Sequence, residues 1–274
     1  MGIDRMIHAF SAILLLGLVA TAQADVTMQF TETGADTGST LMIQGGHVRM
    51  EEREADGSMV YSLFDRETRT LTMVIDEERS YAQLTEEGLK AQAQEVQGMQ
   101  EDFLAQMREQ MAQMPPEQRQ MMEQQMRQMG VDPAMLSGED PPAPDLSSLE
   151  TRPTGEQRTI GGFRCQVMEV LLEGEITNEL CVADPGHVGL SAADYGTLKV
   201  LFEFMQSLSE IAMSMGGPFA ADMGAEMLPA VDGVPVLVKN LEDGSEITLQ
   251  SVSTDALSPD LFRIPADYQR VDPF

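Results

Sequence analysis

Six short segments between residues 26 and 84 alternate apolar and polar side chains, and nothing else in the chain constrains its fold as much. In Val26–Thr33, Met28 and Phe30 alternate with Thr27, Gln29 and Thr31, the period of two that a strand with one buried face requires. Thr40–Gln44 and His47–Glu52 flank Gly45-Gly46, a two-residue hairpin signal. Met59–Phe64 and Thr70–Ile75 flank Asp65-Arg66-Glu67, and Ser80–Leu84 follows the acidic turn Asp76-Glu77-Glu78. Strands so evenly spaced predict an antiparallel meander.

The period changes at Thr85. Val96, Met99, Phe103, Met107, Met111 and Met114 recur every three or four residues, which places them on one helical face. Pro115-Pro116 breaks that helix, and Met122, Met126 and Met129 form a second stripe ended by Gly130. Residues 86–130 therefore read as a Met/Gln-rich αα-hairpin inserted in a β protein. Residues 131–155, with Pro133, Pro141, Pro142, Pro144 and Pro153, read as a solvated linker. Strands resume at Gln157–Ile160 and continue in Arg164–Leu172 and Ile176–Val182 around Glu173-Gly174-Glu175. Ser191 with Asp194 resembles a capping box, and the helix it opens runs to about Met215. Its apolar residues, from Leu198 through Met215, cover more than half its circumference, as a helix lying in a concave sheet would need. Pro235–Leu241 and Glu246–Ser253, turned at Asp243-Gly244, form a last hairpin.

Residues 1–24 read as a secretory leader. Arg5 precedes an apolar run from Ile7 to Ala20, too short to span a bilayer, and Ala22-Gln23-Ala24 supplies a small-x-small cleavage pattern. The expected mature protein begins at Asp25, is periplasmic, and has neither a lipid anchor nor a transmembrane anchor. The net charge of −28 repels phosphate backbones and anionic headgroups, so nucleic acid is not an expected partner. Cys165 and Cys181 are the only cysteines. In an oxidising compartment such a pair is expected to bond, stapling the 164–182 hairpin. A simple two-residue turn sets Cys181 opposite Met168, so the bond needs a bulge or a longer turn; two reduced, separately packed thiols are the alternative.

Several segments together resemble an uncharacterised family of exported bacterial proteins related to the outer-membrane lipoprotein carrier (LolA/LolB-like) fold. They are Gly45-Gly46-His47-Val48-Arg49-Met50, Thr154-Gly155-Glu156 with Ile160-Gly161-Gly162-Phe163-Arg164-Cys165, and Leu261-Phe262-Arg263-Ile264-Pro265-Ala266-Asp267-Tyr268. The likeness covers residues 25–84 and 154–268 of a single domain, 25–274, and omits the Met/Gln insertion. It implies an α+β fold: a strongly curved antiparallel sheet, an incomplete β-barrel, with helices on its concave side. It also implies an apolar cavity of the kind that holds acyl chains in the carriers. One parity of the early strands would line it, namely Met28, Phe30, Leu41, Ile43, Val48 and Met50, opposed by Phe202, Met205 and Leu208.

Catalytic motifs are lacking. The mature chain has two histidines, His47 in a strand and His187 in a loop near Asp184, with no G-x-S-x-G, HExxH or phosphate-cradling glycine loop. No enzyme activity and no cofactor are expected. Met107, Met111 and Met114 place three thioethers on one helical face, a Cu(I) ligand set in principle, although flexible packing methionines explain the same pattern. Two readings follow. One is a carrier or holdase for a hydrophobic ligand such as a lipid or lipoprotein acyl chain. The other is a scaffold whose Met-rich hairpin docks an envelope protein or binds copper.

Overall fold

The computed structural model describes residues 25–33, 38–53, 59–113, 115, 149–215 and 231–272. Among these residues, twelve strands form one open, curved sheet. They are β1 (Val26–Glu32), β2 (Gly38–Gln44), β3 (His47–Arg53), β4 (Met59–Asp65), β5 (Thr70–Ile75), β6 (Ser80–Leu84), β7 (Glu150–Ile160), β8 (Phe163–Leu172), β9 (Glu175–Ala183), β10 (Val234–Asn240), β11 (Glu246–Ser253) and β12 (Gln269–Arg270). Their order is β12-β6-β5-β4-β3-β2-β1-β11-β10-β9-β8-β7, antiparallel throughout except for β12 on β6. Gly45 and Gly46 both have positive φ, 56° and 91°, as the β2–β3 turn requires.

Because side chains alternate along each strand, register turns the early sequence pattern into rows across the sheet. One row runs Val26–Ile43–Val48–Phe64–Leu71–Leu84 and the next runs Met28–Leu41–Met50–Ser62–Met73–Ala82. Both rows look into the concave side. Two helices lie there: α1 (Glu86–Gln113) and α2 (Ala192–Met215), which pack on each other. The capping box forms, with Asp194 N–H donating to Ser191 Oγ and the Ser191 hydroxyl donating to Asp194. Leu198, Leu201, Phe204, Leu208 and Ile211 of α2 enter one core with Ile43, Val48, Phe64 and Leu249 of the sheet.

Three expectations change. The linker assigned to 131–155 ends earlier, because residues 150–155 already belong to β7; Pro153 is accommodated there since β7 is an edge strand, bulged between Pro153 and Gln157. The start of α1 is core rather than insertion, with Leu89 and Ala93 buried against the sheet and α2. On α2, Phe204 faces Phe64 with ring centroids 5.3 Å apart, whereas Phe202 and Met205 are 44% and 37% exposed. The helix turns 100° per residue, so residues 201, 204 and 208 share the buried face and 202 and 205 do not. The proposed second helix, Met114, and residues 116–148 lie outside the described residues, as does the leader at 1–24.

Cys165 and Cys181 are bonded, with Cα atoms 5.3 Å apart. The turn Glu173-Gly174 joins Leu172 to Glu175, and a bulge beyond it shifts the frame by one residue, so that Cys181 faces Val167 and Met168 faces Leu180. Cys165 sits two residues along the same face, and the bond crosses the ladder diagonally. The outer face is not bare. Tyr61, Leu63 and Val74 form a second cluster there with Ile264 and Tyr268 of the C-terminal tail, and Val170, Leu180 and Val182 form a third. Arg49 fastens the tail, lying 3.7 Å from the centre of the Tyr61 ring and donating from Nη1 to Leu261 O.

Candidate ligand-binding groove

The concavity expected to hold a ligand is occupied. Met28, Ile43, Val48 and Leu208 are all 2% exposed or less within the core, and Phe30, Leu41 and Met50 pack against it. The wide apolar arc of α2 supplies the groups that fill this space. An open groove lies to one side, where α1 leaves the sheet.

That groove has a volume of about 880 Å³. Its walls come from the β4–β5 hairpin, the end of β6, the first three turns of α1, and the C-terminal tail. Thr85 caps α1, accepting from Gly88 N–H at 3.1 Å, and so turns the chain sharply off the sheet edge. Glu86 pins the same turn by accepting from Arg69 Nη2 at 2.6 Å. Hydrogen bonding from Arg69 holds the Glu86 carboxyl below the usual carboxylate range, despite its partial burial. With Leu89 and Ala93 directed into the core, helical spacing turns Gly88, Ala91, Gln92 and Glu95 toward the groove.

The lining is mixed. Leu63, Leu84, Leu89, Phe262 and Ile264 supply apolar surface, and Thr70, Thr72, Gln83 and Gln92 supply neutral hydrogen-bonding groups. Thr72 is only 5% exposed and accepts from Gln83 Nε2 at 3.4 Å. The Oε1 atom of Gln92 is buried and has no hydrogen-bond partner.

His47 and Asp65 stand at the rim, with His47 Nδ1 3.2 Å from Asp65 Oδ2. Burial pushes the Asp65 carboxyl up, but hydrogen bonds from Thr68 and the charge of His47 outweigh it and leave the pKa lowered. Beyond this pair is a smaller cavity of about 420 Å³ against the start of α2, lined by Gly45, Gly46, Arg66 and Thr197. The other histidine, His187, has no acid partner in Asp184, whose carboxylate instead caps the 3₁₀ turn Pro185–Val188 by accepting from Gly186 N–H. Among the described residues no three His, Cys, Asp or Glu side chains come together in a metal-binding group. Met107 and Met111 fall on α1, but their side chains, like Met114, lie outside the description.

Of the residues assigned to a ligand site from the sequence, Val48 also borders this groove; its other lining residues went unassigned. Two signals pointed at them: the Thr-x-Thr pattern at residues 70 and 72, placing a hydroxyl on the outward parity of β5, and the small residues Gly88 and Ala91 near the start of a Gln-rich helix.

No family model and no curated protein matches the chain. Among solved structures, PNGF-II in its C2 crystal form aligns with a TM-score of 0.39 at 8% identity, covering 91% of this chain and 31% of that one. The MucA/MucB complex of Pseudomonas aeruginosa aligns at 0.27 and 14% identity, covering 90% of this chain and 57% of that one. MucB alone aligns at 0.27 and 15%, with coverages of 90% and 59%. The chain thus spans less than two thirds of each of these structures, and at such scores the likeness carries no argument about fold or function.

Proposed function

We propose that this is an exported, non-catalytic binding protein that holds a hydrophobic ligand in the lateral groove beside α1. Export follows from the leader read at residues 1–24. The observation that carries the binding assignment is the pairing of a filled central concavity with a separate open groove of about 880 Å³, within the usual range for a ligand site. The expected acyl-chain cavity between sheet and α2 has its space taken by Leu198, Leu201, Phe204, Leu208 and Ile211. The groove's leucine, phenylalanine and isoleucine walls suit the apolar body of such a ligand, and its threonine and glutamine groups suit a polar head. No helix among the described residues is long and apolar enough to cross a membrane.

Ala91 is exposed and lines the groove, so Ala91→Phe fills the space without entering the core. Native mass spectrometry of the protein recovered from the periplasm is expected to show a bound ligand that Ala91→Phe lacks, at unchanged thermal stability. A wild type recovered empty, or a variant that keeps the ligand, would remove the groove from consideration.

A further inference from the structure

Resting on the groove as the binding site, we propose that Arg69 and Arg79 are its positioning residues, each holding one wall in place from a hairpin turn. Among the described residues, three that are not glycine have positive φ: Arg69 at 49°, Arg79 at 51° and Glu173 at 54°. Glu173 opens the two-residue turn Glu173-Gly174, a type that needs this conformation. The two arginines share a different setting. Each closes a four-residue loop, 66–69 between Asp65 and Thr70 and 76–79 between Ile75 and Ser80. The left-handed conformation there favours glycine or asparagine, because a longer side chain crowds its own backbone. An arginine at both places points to a use for the side chain.

The two uses correspond. Arg69 donates from Nε at 3.2 Å and from Nη2 at 2.6 Å to Glu86 Oε1, in the first turn of α1. Its guanidinium also lies 5.9 Å from the centre of the Phe204 ring. Thr68 and Thr70 on one side of this bond, and Thr85 and Gly88 on the other, line the groove. Arg79 donates from Nη2 to Asp267 in the C-terminal tail, and its own carbonyl accepts from Gln269 N–H at 2.9 Å. Ile264 and Arg270, which flank that contact, line the groove as well. No residue from 254 to 272 is buried, so the tail depends largely on such polar contacts for its place. Glycine at 69 or 79 would suit the backbone and release the wall. Arginine does the reverse, which sets ligand binding against turn stability at these two positions.

The test uses the exported protein and N-phenylnaphthylamine, a neutral apolar fluorophore, with Ala91→Phe as the measure of binding in the groove. Arg69→Gly and Arg79→Gly should each weaken probe binding about twofold to fivefold, the worth of a partly exposed ion pair. Their thermal midpoints should stay within about 3 °C of wild type, because relief of the turn offsets the lost contact. The charge swap Arg79→Asp with Asp267→Arg restores the pair, and aspartate tolerates the turn conformation. The swap should therefore bind the probe more tightly than Arg79→Asp alone. Unchanged affinity in either glycine variant overturns the role of that arginine and leaves the groove standing, as does a swap no better than Arg79→Asp. Affinity that falls only in step with the thermal midpoint assigns the arginines to the fold and overturns the positioning role. A wild type that takes up no probe, or an Ala91→Phe variant that still binds it, overturns the groove and the positioning role together.

Discussion

Single residues hold the two ends of the molecule in place, and their chemistry can be tested one at a time. Tyr268 donates its phenolic hydrogen to Asp76 and thereby ties the C-terminal tail across the outer face. That bond, with lesser contributions from burial and nearby negative charge, raises the phenol to about 12. Because the folded value lies above the ordinary 10, this contribution is complete below pH 10 and lost as the pH rises toward 12. Ultraviolet titration should show one tyrosine ionising near the upper value, and Tyr268→Phe should remove that transition. A second staple ties α2 to the sheet: Gly233 N–H donates to Tyr195 Oη at 2.7 Å, and that hydroxyl donates to Asp232. Gly233 has φ of 140°, and a Cβ there would lie 2.5 Å from Val182 Cγ1 and 2.8 Å from Ala183 O. Gly233→Ala is expected to cost about 1–3 kcal/mol or more in chemical denaturation, the range for enforced backbone strain.

At the scale of elements, the question is which face of each carries stability. Leu208 is buried in the shared core and Phe202 is 44% exposed, though both are apolar positions of α2. Leu208→Ala should therefore cost about 2–5 kcal/mol, and Phe202→Ala should stay within about 0.5 kcal/mol of wild type. Urea melts of the two variants make the comparison directly. In the β8–β9 hairpin the Cys165–Cys181 bond closes a sequence separation of 16 residues. Replacing both by alanine should lower stability by about 3 kcal/mol, and thiol labelling of the unreduced, denatured wild type should find no free cysteine. Hairpin β2–β3 was legible because Gly45-Gly46 satisfies a local backbone need. The diagonal placement of Cys165 and Cys181 was not, because the bulge beyond Glu173-Gly174 relieves a conflict between turn and sheet that neither sequence segment states alone.

At the scale of the whole molecule, α1 decides whether the Met/Gln-rich region is an appendage. Its first turns bury Leu89 and Ala93 in the core and form one wall of the groove, and β7 begins at Glu150. Deleting residues 86–153 therefore removes core side chains together with the start of an edge strand. The deletion product should lose cooperative thermal unfolding by circular dichroism, whereas an independently folded insertion would leave it intact. The same packing locates the ligand space, since α2 takes the concavity and α1, angled off the edge at Thr85, leaves the gap beside β6.

The sequence alone determined the strand meander, its turns, the buried parity of β1 to β3, and the capped start of α2. Each of those depends on the period of nearby side chains and on local backbone chemistry, which a linear pattern carries in full. Only the tertiary structure decided that Phe204 rather than Phe202 meets the sheet, that Leu89 joins the core, and that the open space lies at the β6 edge. A broad apolar arc does not say which part of it is buried; the neighbours that arrive from elsewhere in the chain do. The groove is likewise a space between elements far apart in sequence, built from Thr72, Gln83, Gln92 and Ile264, and no segment contains it.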